Sequence, residues 1–87
     1  MAQVTAKVLI QGGSGNVIIT LHGQPDFNIN QSGSTILNLP VGDHFMMVFG
    51  RPPQGGTVDI SFEQNGDVLA SHKYKQPSSI LFKLEVS

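Results

Sequence analysis

The sequence predicts an all-β fold, a single-domain antiparallel β-sandwich of about seven strands spanning residues 1–87. Three observations predict it. Apolar residues recur at every second position along much of the chain, the spacing that gathers them on one face of a strand. Clusters of Gly, Pro, Asn, Asp and Ser part these stretches at intervals suited to β-turns. No stretch keeps the spacing of an amphipathic helix. A small β-barrel is the alternative arrangement of the same strands.

Residues 3–11 place Val4, Ala6, Val8 and Ile10 on one side and Thr5 and Lys7 on the other. "GGSGN" ends that strand. A phosphate loop would need a helix N-terminus behind it, and a β-branched run follows instead, so this is a connection. Strand 16–22 stops at "GQPD", and a weaker segment, 27–30, leads into "QSGS" and strand 34–39. Pro40-Val41-Gly42-Asp43 turns the chain into strand 44–50. "RPPQGG" is loop, because consecutive prolines donate no ladder hydrogen bonds. Strand 57–63 sets Val58, Ile60 and Phe62 inward and Thr57, Asp59, Ser61 and Glu63 outward. Strand 67–75 returns from it. The last strand, 79–86, carries Ile80, Phe82, Leu84 and Val86 on one face.

Asn65-Gly66 marks a hairpin between strands 57–63 and 67–75, since it supplies the positive φ angles of tight turns. A two-residue loop would set Phe62 opposite Leu69 and turn Lys73 into the core. A three-residue loop, Gln64-Asn65-Gly66 with a glycine bulge, sets Phe62 opposite Val68 and sends Ser71, Lys73 and Lys75 to solvent. Burying an unpaired lysine is expensive, so the expected register is the bulged one. His72 then shares a face with Val58 and Tyr74, near an edge of the core.

Strand 44–50 breaks the alternation. Phe45-Met46-Met47-Val48-Phe49 has no polar residue to mark a wet face. An edge strand of this kind would invite pairing with other chains, so it is expected at the centre of a sheet. Phe45, Met47 and Phe49 then share one face, Met46 and Val48 the other. The interior takes one set and something must shield the second: a loop such as 23–31 folded across the sheet, or a second subunit. The residues selected for contact are Met46 and Val48, with Arg51, Pro52 and Pro53 of the adjoining loop, where rigid prolines preorganise a contact point.

Composition narrows the function classes. There is no cysteine, hence neither disulfide nor thiolate metal site. Five Lys and Arg against six Asp and Glu, with no block of either sign, offer no footprint for nucleic acid or anionic membrane. Charged residues make up 13% of the chain, about half the usual ~25%, and Ser, Thr, Asn and Gln take their place. No segment approaches the ~20 apolar residues of a membrane span. The N-terminal stretch lacks signal-peptide features, which predicts a cytoplasmic protein if Met1 is the natural start and an extracytoplasmic one if the natural chain has been trimmed.

"GNVIITLHG" followed by "STILNLPVGDHFMMVFG" resembles the PEGA-type modules, in which a strand leads into a hairpin with a leucine-proline-x-glycine-x-histidine turn. Leu39, Pro40, Gly42 and His44 carry the resemblance, over about half the chain. It implies a transthyretin-like or immunoglobulin-like sandwich and a non-enzymatic accessory role.

Catalytic and metal chemistry find little support. His22, His44 and His72 have no second metal ligand at binding spacing on the same element. Asp43 and His44, adjacent on a strand, point to opposite faces. Ser14 has no base or strained turn indicated. "HKYKQ" alternates basic and aromatic residues as an oligonucleotide-binding barrel would, though Lys73 and Lys75 read as an ordinary wet face. Asn30-Gln31-Ser32 is a glycosylation tripeptide without an export signal. Neither metal nor cofactor is expected. The leading expectation is a non-enzymatic protein-interaction or structural module, binding through a sheet face or edge to a protein partner or to itself. The alternative is a small-ligand carrier or minor enzyme with a pocket lined by the three histidines, and the second alternative is an oligonucleotide-binding barrel.

Overall fold

The computed structural model describes residues 2–21 and 25–87. Among them run eight strands: β1 (Ala2–Gln11), β2 (Asn16–Leu21), β3 (Phe27–Ile29), β4 (Gly33–Leu39), β5 (Gly42–Arg51), β6 (Thr57–Gln64), β7 (Asp67–Tyr74) and β8 (Ser78–Val86). They form two four-stranded antiparallel sheets, ordered β4-β1-β6-β7 and β3-β2-β5-β8. The β2–β3 and β6–β7 connections stay within a sheet, and every other connection crosses to the opposite one. Each sheet is bounded by two edge strands paired on one side only, β4 and β7 in the first and β3 and β8 in the second. The barrel alternative is thereby corrected, since closure leaves no edges. The weak segment 27–30 becomes the short β3, which raises the expected seven strands to eight. The end of expected strand 16–22, at His22, lies outside the described residues.

Period-two patterning explains the core. Val4, Ala6 and Val8 of β1, Val58, Ile60 and Phe62 of β6, and Phe82, Leu84 and Val86 of β8 are all buried, as their alternation requires. Phe62 meets Phe82 edge to face across the two sheets, ring centroids 5.4 Å apart. That geometry suits the quadrupoles of both rings. Gln64 is buried too, and its side chain bridges the layers. Its Nε2 donates to the Ser87 main-chain oxygen at 2.7 Å, and the Ser87 N–H donates to Oε1 at 3.0 Å.

Tyr74 provides a second tie. Its hydroxyl donates to the Val48 carbonyl at 2.6 Å, from an edge strand of one sheet to the middle of the other. The ring lies against Gly50, where any Cβ would collide with it. A glycine inside a strand marks such a close approach.

The β6–β7 hairpin corrects the expected turn while keeping its faces. Gln64 pairs with Asp67, so the loop is the two-residue Asn65-Gly66, with φ of 52° and 84°. The register then shifts beside Phe62: Glu63 pairs with Val68, but Phe62 pairs with Ala70, leaving Leu69 as an extra residue. Moving the bulge out of the turn preserves parity. Lys73 pairs with Asp59 on the outer face, and Tyr74 pairs with Val58 on the inner one.

The "GGSGN" and "RPPQGG" connections pack together at one end of the molecule. A Cβ on Gly15 would sit 2.6 Å from the Arg51 carbonyl oxygen, and one on Gly56 would strike the Gln11 carbonyl. Pro53 is buried among Gly13, Gly15 and Gly56. Close packing accounts for glycine at positions 15 and 56. Among the described residues no helix is long and apolar enough to cross a membrane.

Candidate functional site

β5 lies between β2 and β8, the central position its sequence calls for. Its even residues face inward. Met46 and Val48 are 1% and 0% exposed, so the two main contact candidates are corrected to core residues. The physical reason is cross-strand company. Met46 lies between Leu21 and Phe82, and Val48 between Ile19 and Ile80, all inward residues of the flanking strands. β5 alone is apolar on both faces, and only its pairing with two amphipathic neighbours chooses the interior set.

The outer face of β5 therefore reads Asp43, Phe45, Met47, Phe49, Arg51. Phe45 is 58% exposed and Met47 42%, and Leu81 of β8, directly opposite Met47, is 60% exposed. Ile18 opposite Phe49 and Thr20 opposite Met47 extend the patch onto β2. The loop expected to cover this face does not do so among the described residues. Residues 27–29 pair beside β2 as an edge strand, and residues 23 and 24 lie outside the described set.

Charge marks the two ends of this strip. Asp43 sits directly opposite Glu85, a like-charge pairing that is unfavourable by itself. Lys83 relieves it, its Nζ 3.7 Å from Asp43 and 3.8 Å from Glu85, which leaves this end with one net negative charge. At the far end Arg51 is exposed and forms no ion pair among the described residues. Of the adjoining prolines, Pro52 is half-buried and Pro53 is buried in the glycine-lined end of the fold. Arg51 is thus the most exposed of the three loop residues selected from sequence, and Pro53 is corrected to a structural role.

The histidines do not converge. His44 Nε2 donates to the Pro40 carbonyl at 2.6 Å, bracing the turn between β4 and β5. His72 lies on exposed edge strand β7, its ring 4.7 Å from that of Tyr74. His22 lies outside the described residues. Among the described residues no group of three potential ligands could hold a metal ion.

An open trough, unmarked by any local pattern in the sequence, crosses the outer face of the other sheet, with His72 at its margin. Ser34, Ser61 and Ser71, aligned with Lys7 in one cross-strand row, supply its small side chains. The outward parity of each serine was readable, but their alignment needed the register of four strands. Lys7 is drawn aside by Glu63, with Nζ 3.1 Å from the carboxylate. No protein-family model, curated protein or solved structure matches the chain.

Proposed function

We propose that this chain is a non-enzymatic interaction module whose contact surface is the outer face of the β3-β2-β5-β8 sheet. One observation carries the reading: Phe45, Met47 and Leu81 stand exposed and adjacent on a sheet whose other face already fills the core. Grouped exposed apolar side chains mark contact sites more often than scattered ones do. Methionine among them suits such a surface, because its thioether adapts to varied shapes. The winding supports an immunoglobulin-like scaffold. β1, β2, β3, β4, β5 and β8 follow strands B, C, C′, E, F and G, with the β6–β7 hairpin inserted before the last. An accessory role also accords with the PEGA-type likeness at Leu39, Pro40, Gly42 and His44.

Replacing Phe45, Met47 and Leu81 together by serine tests the reading. The triple variant is expected to keep its fold, with a thermal midpoint close to that of the parent in dilute solution, and to lose binding of a fluorescent apolar probe. A large fall in the midpoint would mean that these side chains serve folding instead. The trough beside His72 favours a second reading, a small polar ligand, for which shift changes at Ser61, Ser71 and His72 on addition of a metabolite mixture are the expected sign.

A further inference from the structure

We infer that the partner of this face is a second copy of the chain, docked face to face about a two-fold axis that crosses β5 at Met47; the inference rests on the contact face proposed above. The outer residues of β5 are arranged antisymmetrically about Met47. Phe45 and Phe49 flank it, and Asp43 and Arg51 lie four residues to either side. A symmetric pair must present one patch to itself, so each residue type has to meet its complement.

Two orientations bring the faces together with their strands aligned, the common arrangement of packed sheets. With the axis parallel to the strands, Asp43 meets Asp43 and Arg51 meets Arg51 of the second copy, which is repulsive at both ends. With the axis perpendicular to the strands, the two β5 strands run antiparallel across the interface. Asp43 then faces Arg51 of the second copy at one end, and the reverse holds at the other. Phe45 faces Phe49, and the row Thr20-Met47-Leu81 lies along the axis and meets itself. Lys83, opposite Phe45 on β8, faces uncharged Ser79, which stands opposite Phe49. Packed sheets sit ~10 Å apart, a gap that extended Arg and Asp side chains can span at the rim.

The net negative charge left by Asp43, Lys83 and Glu85 and the exposed Arg51, which have no further ion-pair partner among the described residues, fit this arrangement. Joining the molecules through the free edge of β8 would instead leave Phe45 and Met47 bare. Charge placement and the cover it gives to Phe45 and Met47 favour the face-to-face pair.

The test is sedimentation across micromolar to millimolar protein, with three charge variants and one control. The parent is expected to dimerise reversibly. Asp43→Arg alone and Arg51→Asp alone each weaken the dimer roughly tenfold, since two rim pairs turn repulsive in each. The double swap, which restores opposite charges across the axis, is expected to recover most of the parent affinity. Leu81→Asp is expected to give a folded monomer. A parent that stays monomeric at millimolar concentration overturns the inference, and so does a dimer indifferent to both single reversals. A monomer that still binds the apolar probe in a manner lost on triple serine substitution would reject the second copy while leaving the contact face standing.

Discussion

Burial sets the behaviour of Tyr74, the chain's single tyrosine, whose hydroxyl is held by the Val48 carbonyl between the sheets. Unfolded, the phenol titrates at its ordinary 10.0; burial pushes it up to about 12 in the folded protein. Because the folded value is the higher one, its contribution to stability is whole below pH 10 and is lost as pH rises towards about 12. The loss amounts to roughly 2–3 kcal/mol. Urea unfolding on both sides of that window is expected to show the fall in the parent. Tyr74→Phe should be less stable at neutral pH by about 1–2 kcal/mol, yet flatter through the alkaline range. Equal alkaline slopes for both proteins would contradict the assigned burial. The inward direction of Tyr74 was legible from its alternation with Lys73 and Lys75. Its contact with Gly50 was not, because two residues on different strands of different sheets meet only once both layers exist.

At the scale of elements, the β6–β7 hairpin shows what patterning decides and what it leaves open. The cost of burying Lys73 selected the right faces, and the structure keeps Lys73 outward opposite Asp59. The extra residue needed for that parity was expected in the turn but resides at Leu69, because the ladder can absorb a bulge wherever local twist allows. Gly66 holds φ at 84°, so Gly66→Ala is expected to destabilise by about 1 kcal/mol in urea unfolding. Asn65→Gly should be near neutral. If Gly66→Ala proved neutral as well, the two-residue turn would be wrong. β5 teaches the complementary lesson. Its hydrophobicity made its central place legible, while its two apolar faces hid which side was inside. The answer resided in Leu21, Phe82, Ile19 and Ile80 on the neighbouring strands.

For the whole molecule, fold class, strand segments and most inward residues were legible, because alternation is a local property. Sheet membership, the open edges and the serine trough were not, since they depend on how distant strands align. The contact site was half legible for the same reason. The run 45–49 makes a central strand with two apolar faces legible, and with it the need for cover on the second; it does not say that the second face is that of Phe45, Met47 and Phe49. With that parity set, the strip from Asp43 to Arg51 acquires a polarity that suits a copy of itself.

The exposed strip on β5 exists only if Met47 faces outward and Met46 inward, and the two methyl groups report these positions separately. Methyl signals of carbon-13-labelled methionines can be recorded with a soluble paramagnetic probe over a concentration series. The Met46 methyl is expected to be protected at every concentration, while that of Met47 is broadened in dilute solution and becomes protected as the protein associates. Broadening of Met46 with Met47 shielded throughout would reverse the two faces and remove the contact surface.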